Sequence, residues 1–444
     1  MTNTTILAIN VCLYAFAFAY FFVKYGWKNL STVLLGIYLF SAVFSFVYYI
    51  NPLFYLVYTS SGNIKLEGVL YLFSVNFLLC TALRNFRLPT DGFILTGYPR
   101  KLIDIIQYFL FFVFLISILT SFSSMTEIAT SDNLSDLHNI TSDSGSLGSK
   151  AFLINFLLRI FGGCDIVMLL IAVVNLLLFK DRRKINYLSI VVYLLNTTKI
   201  MLLYVSRGIM LADGLKIFVL FLVLGVMIPK TLKKKLYPIL TVFAVLGVSF
   251  FLTISHSRFK EGNASVYNDL AFVRYAGEAQ LNFIGIMYGN TTGDAMGYRM
   301  LPLYRRALGL HYAGENKNVN NSVTADYMDQ FNPKGPNYVF YQLVGSHYIE
   351  WGSTLTFLFA LIINLKTNSH FKRVLRTKKL SFMSILFGCF LFSYIAYGIF
   401  YALYGNESGN FLFLYMVVFS FLFARMGKEY WIDNAEYIPE SKSD

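Results

Sequence analysis

Three short stretches of this sequence gather side chains that handle anions and sugars. They are Ser206-Arg207-Gly208, His256-Ser257-Arg258-Phe259-Lys260, and the run Arg274-Tyr275-Ala276-Gly277-Glu278-Ala279-Gln280-Leu281-Asn282-Phe283. A guanidinium grips phosphate or diphosphate through paired, charge-assisted hydrogen bonds. Arg207, in a tight turn that Gly208 permits, suits a diphosphate, an ordinary lipid phosphate or a plain ion pair with Asp213. Arg258 opens a long segment that also carries Arg274, Arg299, Arg305 and Arg306. Arg274 and Glu278 are four apart, so on a helix they share a face and would pair. As a functional group, Glu278 would accept a proton from an attacking hydroxyl or orient a sugar. Tyr275 offers an aromatic face to pyranose C–H surfaces and Asn282 an amide to sugar hydroxyls.

His347 and Glu350 lie three apart and so project from one helix face. A lone His-x-x-Glu is a weak metal signal, and no metal site is expected. Holding a leaving diphosphate or a sugar hydroxyl, or forming a structural pair, all fit these two residues. Three more charges fall within apolar blocks, where each costs about 2.5–3.5 kcal/mol unless compensated. Asp165 and Lys199 reach similar depth in antiparallel neighbours and are expected to pair. Arg159, six residues from Asp165, falls on another face and either snorkels outward or lines a substrate cavity.

The elements that must position these groups are membrane spans. The chain has 444 residues, of which 56% are hydrophobic and only 14% charged. Its apolar residues come in blocks of about twenty, the length that crosses a hydrocarbon core. Eleven spans are expected, at about 4–23, 32–57, 67–83, 102–123, 151–179, 187–205, 208–228, 236–255, 339–364, 380–402 and 410–426. The first block lacks a basic start and an Ala-x-Ala site, so it reads as a retained span rather than a signal peptide. Lys and Arg crowd alternate loops, notably 84–101, 180–184, 230–235 and 366–379. The positive-inside rule then puts the N-terminus outside and the tail 427–444 in the cytoplasm. This placement also accounts for the net charge of +13 without nucleic acid, for which no reading motif is present. The four cysteines all fall in apolar blocks and make no disulfide frame or metal spacing.

Residues 1–255 thus carry spans one to eight, 256–338 form a large extracytoplasmic loop, and 339–426 carry spans nine to eleven. A loop of this length is functional or disordered. Its Tyr, Asn and Gly content favours a partly helical cap lying on the membrane, whereas 124–150 reads as a solvated loop. No internal repeat or inverted pair of broken helices of the transporter kind is expected. The fold class is an all-α polytopic bundle.

In order along the chain, these features resemble the bacterial oligosaccharide repeat-unit polymerases of O-antigen and capsule synthesis. The matching features are Ser206-Arg207-Gly208 at an outer turn, Tyr275-x-Gly277-Glu278-x-x-x-Asn282-Phe283 in the large loop, and Gly345-x-x-Tyr348-x-Glu350-x-Gly352 at its exit. The resemblance implies a glycosyltransferase-C type of fold working without a metal or other cofactor in the bacterial inner membrane. It implies transfer of a glycan from undecaprenyl diphosphate to a hydroxyl of the next lipid-linked repeat unit, on the periplasmic face. Its partners would be that lipid-linked oligosaccharide, the bilayer and a chain-length regulator. Stabilising a departing diphosphate suits Arg207 and Arg258, with Arg274 as a further candidate, on chemical grounds alone. With Glu278 these form the expected catalytic set; Arg159, Arg274, Tyr275, Asn282, Arg305, His347 and Glu350 form the expected substrate-binding set. His347 departs from the family pattern.

Other readings remain open. An O-antigen ligase would share the donor and the arginines and differ in its acceptor. A transporter or lipid flippase would line a central path with charge and show repeat symmetry. A membrane acyltransferase would want a histidine at mid-membrane, where none is expected. Asn-x-Ser/Thr sequons at Asn133, Asn139, Asn263, Asn290, Asn320 and Asn406 follow from a composition rich in these residues, and a bacterial source is expected.

Overall fold

Apolar blocks become helices here because in lipid a helix satisfies the backbone N–H and C=O groups within its own segment. The computed structural model describes residues 1–51, 64–89, 92–129, 152–181, 183–203, 207–225, 271–288, 341–400 and 407–432, with a few single positions between. The helices are α1 (Asn3–Tyr25), α2 (Leu30–Ile50), α3 (Leu66–Thr81), α4 (Arg100–Thr120), α5 (Phe122–Ala129), α6 (Phe152–Phe161), α7 (Asp165–Leu177), α8 (Lys184–Leu203) and α9 (Arg207–Leu224). They continue as α10 (Ala271–Asn282), α11 (Gln342–Thr377), α12 (Phe382–Tyr397) and α13 (Glu407–Met426). Thr2 caps α1 by accepting from the Thr5 N–H, and Asn29 caps α2 by accepting from Ser31. Between them Gly26, at φ 76°, makes the reversal a side chain would strain.

Seven helices among the described residues are long and apolar enough to cross a membrane, and α3 and α12 are shorter apolar helices. The polarity of the surface is inverted relative to a water-soluble protein. Phe16, Val23, Phe112, Leu195 and Phe421 are exposed, while Asn10, Asn76, Gln107, Asn175 and Asn186 are buried. Lipid can cover the first set, and the second must satisfy its hydrogen bonds internally. The expected eighth span, 236–255, and most of the large loop lie outside the described residues.

The chain forms two compact units, each assembled from separate stretches. The first comprises Met1–Arg84, Phe259–Ser369 and Tyr394–Asn410. In it α1, α2 and α3 pack together and α10 lies along α2. Asn364 and Asn368 of α11 hydrogen-bond Leu78 and Thr81 of α3, tying the long helix to this group.

The second unit comprises Asn85–Arg258, His370–Ser393 and Phe411–Asp444. Its helices surround a buried amide network. Gln107 donates to Asn186 (3.0 Å) and Ser189 (3.1 Å), and Tyr98 donates to Asn175 (2.8 Å). A three-stranded sheet joins this unit, which the all-α expectation did not include. Strand β1 (Phe93–Tyr98) is central, parallel to β2 (Lys379–Ser381) and antiparallel to β3 (Lys428–Ile432). Phe93, Leu95 and Tyr98 turn inward. Near Gly97 (φ 63°) the β1/β3 register slips, and Gly97 and Gly427 approach backbone to backbone.

The charges within the second unit correct the expected pairing. Lys216 of α9, not Lys199, meets Asp165, at 2.9 Å, and it also meets Asp213 at 2.7 Å. Lys199 instead lies 2.6 Å from the Ser117 hydroxyl. The fifth expected span is broken by a single 3-10 turn, Gly162–Cys164, so helical phase does not carry from Arg159 to Asp165. Arg159 is exposed on α6, before the break.

Candidate functional site

The expected cap on the membrane surface is, over the residues described, a helix buried among spans. Every residue of α10 from Ala276 to Asn282 is buried. Its partners lie along the middle of α2: Ser41 donates to the Ala276 carbonyl (2.9 Å), and the Gln280 amide donates to the Tyr38 carbonyl (3.4 Å). On the other side Asn10 of α1 donates to the Gln280 side chain (2.7 Å). Gly277 permits this depth, because a β-carbon there would run into the backbone of Phe44 and Ser45. A polar helix sits here because its amides find partners on both neighbours.

Glu278 and Asn282, four residues apart on this helix, are 4% and 1% exposed. Burial of a carboxylate demands compensating contacts, and both residues make interactions within the structure. Beyond them a π-helical turn, Phe283–Met287, redirects the chain. That turn leaves Phe283 and Tyr288 beside Tyr71 of α3 and Tyr348 of α11. Ring centroids are 5.5 Å apart for Phe283–Tyr348, 5.6 Å for Tyr71–Tyr288 and 5.8 Å for Tyr71–Tyr348. Gly68 leaves room for the Tyr288 ring against α3. The Tyr71 hydroxyl donates to the Ser353 carbonyl at 2.7 Å. Burial raises the Tyr288 hydroxyl above its usual range, with Tyr348 and Glu67 adding to the effect.

The loop exit is a broken helix. Gly352, at φ 71° and ψ −179°, interrupts α11 and separates Gln342–Trp351 from the long apolar part. The segment entering it pairs with the chain after α12: Gln342 and Leu343 donate to the carbonyls of Phe400 (2.8 Å) and Gly398 (2.7 Å). The Ser346 hydroxyl accepts from the Ala402 N–H and donates to the Gln342 carbonyl, both at 3.2 Å. His347 is fixed by aromatic packing, its ring 4.7 Å from those of both Trp351 and Phe359. Its Nε2 lies 2.9 Å from the Tyr394 hydroxyl. His347 is thus held deep in the interior, 2% exposed. Glu350 is 1% exposed and also engaged.

The structure therefore brings two of the three sequence motifs together: Phe283 of the second touches Tyr348 of the third. The first motif belongs to the second compact unit, where Arg207 opens α9. Its alternative partner Asp213 is taken, by Lys216 and by the Thr197 hydroxyl at 2.6 Å. For Arg207, Arg274 and Tyr275 the structure describes helical backbone alone, and Arg258 and Arg305 lie outside the described residues. Sequence reasoning passed over Tyr71, Tyr288, Asn10, Asn76 and Gln342. The available signal was an amide within an apolar block: Asn76 donates to Tyr14 (2.9 Å) and to Gln342 (3.1 Å), joining α1, α3 and α11.

No family model, curated protein or solved structure matches this chain. The functional reading accordingly rests on chemistry. A pair of buried, engaged carboxylates flanks an aromatic cluster in sequence, on elements held by hydrogen bonds and glycine-mediated close packing. Such a set can orient hydroxyls and stack on sugar C–H faces.

Proposed function

We propose that this chain polymerises lipid-linked oligosaccharide repeat units in a bacterial inner membrane. The glycan would pass from undecaprenyl diphosphate to a hydroxyl of the next repeat unit on the periplasmic face. The observation carrying this reading is the meeting of the Glu278–Phe283 segment with the Tyr348–Gly352 segment through Phe283, Tyr348, Tyr71 and Tyr288. Two segments far apart in sequence, each with a buried Glu, share one aromatic cluster, an arrangement that would suit a sugar. The charge pattern alone makes the N-terminus periplasmic and the tail cytoplasmic, and the sheet is consistent with that alternation of sides. It hydrogen-bonds three segments that the charge pattern assigns to the same side.

In the proposed reaction the bond between the anomeric carbon and the diphosphate oxygen breaks. A bond to the acceptor oxygen forms, and the acceptor proton leaves. Glu278 orients the acceptor or takes that proton, and Arg207 and Arg258 stabilise the negative charge gathering on the departing diphosphate. Tyr71, Tyr288 and Tyr348 supply stacking faces for the glycan.

Deletion in the source strain, with surface glycan run on a gel, tests the proposal. Single capped repeats in the deletion, a ladder on complementation, and no ladder with Arg207→Ala, Arg258→Ala or Glu278→Gln are expected. Long chains persisting on undecaprenyl diphosphate would make the chain a ligase. An unaltered glycan would discard both.

A further inference from the structure

Lys24, Lys28 and Arg84 gather at one end of the packed helices α1, α2 and α3. Lys24 lies in the last turn of α1, Lys28 in the turn to α2, and Arg84 just after α3, and all three are exposed. The Asn29 side-chain amide donates to the Arg84 carbonyl at 2.9 Å, so the end of α3 meets the turn that carries Lys28. Residues 1–84 contain a single carboxylate, Glu67. It stands in the first turn of α3, a helix of 16 residues, and is therefore about 24 Å from the end that leads to Arg84. Among the described residues no ion pair reaches any of the three cations.

Aromatic rings hold two of these cations without neutralising them. Lys24 Nζ donates to the Tyr20 hydroxyl at 2.8 Å, and it lies 5.1 Å from the centre of that ring and 5.5 Å from the centre of Tyr25. Lys28 Nζ lies 5.5 Å from the centre of the Trp27 ring. Ammonium groups held over ring faces keep their full charge. They also lose less freedom on gripping an anion than side chains that sway in solvent.

The surface leading to Lys24 is apolar. Phe16, Tyr20 and Val23 recur at i, i+4 and i+7 of α1, on one face, and are 77%, 56% and 85% exposed. Lys24, at i+8, closes the same stripe. A soluble anion would use the cations and leave the stripe idle, whereas an amphiphile would use both. We propose that Lys24, Lys28 and Arg84, with the stripe Phe16, Tyr20 and Val23, form a binding site for an anionic phospholipid. The headgroup phosphate meets the cations and an acyl chain lies along the stripe. Attraction to an anionic lipid accumulates with each Lys or Arg in such a cluster. The charge pattern assigns this end of the helices to the cytoplasmic side, which puts the lipid in the inner leaflet. Tyr71 and Gly68, which meet Tyr288, belong to the other half of α3, so this surface is separate from the one proposed for the glycan.

Native mass spectrometry of the purified full-length chain, titrated in detergent with phosphatidylglycerol or phosphatidylcholine, tests the proposal. Phosphatidylglycerol is expected to bind at least about tenfold more tightly, and to lose at least about that factor when Lys24→Gln, Lys28→Gln and Arg84→Gln are combined. Combining Lys101→Gln, Arg376→Gln and Lys428→Gln removes the same charge elsewhere and should leave binding unchanged. Neither inorganic phosphate nor glycerol phosphate, a headgroup without acyl chains, should displace the lipid. If the first triple variant does not fold, Lys28→Glu, at an exposed position, replaces it. The proposal is overturned if the two lipids bind alike, if removing these cations leaves the lipid in place, or if both triple variants lose it equally. Displacement by either soluble anion also overturns it, and makes the patch a site for soluble anions instead. None of these results bears on the polysaccharide ladder, so the two proposals fail separately.

Discussion

At Gly277 a missing side chain explains why a motif glycine stands beside a motif glutamate. The glycine lets α10 press against the backbone of Phe44 and Ser45, and that contact carries Glu278 into the interior. Gly277→Ala overpacks a junction of backbone against backbone, where neither side can yield cheaply. A loss of about 1–3 kcal/mol is expected, seen as a lower thermal midpoint of the purified protein. Glu278→Gln keeps the side chain's shape but removes its charge and puts a donating NH2 where an oxygen accepts, so on the proposed reading the protein should reach the membrane while the polymer ladder disappears. Retention of a full ladder would remove Glu278 from the chemistry. The sequence marked Glu278 by its place four residues after Arg274, Glu350 by its place three after His347, and Asn282 by the pattern Tyr275-x-Gly277-Glu278-x-x-x-Asn282-Phe283. It could not mark Tyr71 or Tyr288, since tyrosine is common throughout this chain and only packing separates four rings from the rest.

Among the elements, α11 is the one whose break has a cause. At φ 71° and ψ −179°, Gly352 occupies a conformation essentially closed to other residues, and Gly352→Ala should cost about 1–3 kcal/mol. The break also sets the first part of the helix, with Ser346 and His347, apart from the long span. On the proposed reading, the same variant should lower polymer formation more than a mutation at an exposed position such as Phe421→Leu. A double-mutant cycle on Asn10 and Gln280 would measure how firmly α10 is held. A coupling of about 0.6 kcal/mol, rising to about 1.7, is the range for buried hydrogen bonds between membrane helices. The spans were legible because a run of about twenty apolar residues has few other uses. Burial of α10 was not, because a polar, Gly-containing stretch reads as surface until its amides are seen to be matched by Asn10, Tyr38 and Ser41. The Asp165–Lys199 pairing was misjudged for a related reason. Depth alone suggested it, and the 3-10 turn at Gly162–Cys164 with the phase of α9 brought Lys216 there instead.

For the whole molecule, the sheet and nearby ion pairs gather segments that are remote in sequence. Arg100 and Arg183 both bond Asp181, at 2.9 Å and 2.6 Å, in the turn between α7 and α8. Burial works to raise the Asp181 carboxyl, but bonds from the Arg183 N–H and Arg100, with the Arg183 charge, outweigh it and hold the group below its usual range. A carboxylate depressed in the folded state adds stability above its unfolded pKa of about 3.9 and loses it as pH falls through the folded value. Thermal midpoints of wild type and Asp181→Asn should therefore converge on acidification below about pH 4. Cysteines introduced at Lys101, Lys378 and Lys428 should all label from one side of intact membrane vesicles. A split result would break the proposed topology.

That sheet also imposes an order on biogenesis. Strand β1 leaves the ribosome after the third helix, β2 only after α11, and β3 after α13. Until Lys428–Ile432 is made, the central strand has a bare edge, with Phe93 and Leu95 wanting cover. Closing the sheet thus requires the spans between its strands to have been inserted in the right alternation, since one missed span would leave a strand on the wrong side of the bilayer. A chain stopped before β3 would hold an unpaired, sticky edge for quality-control proteases to find.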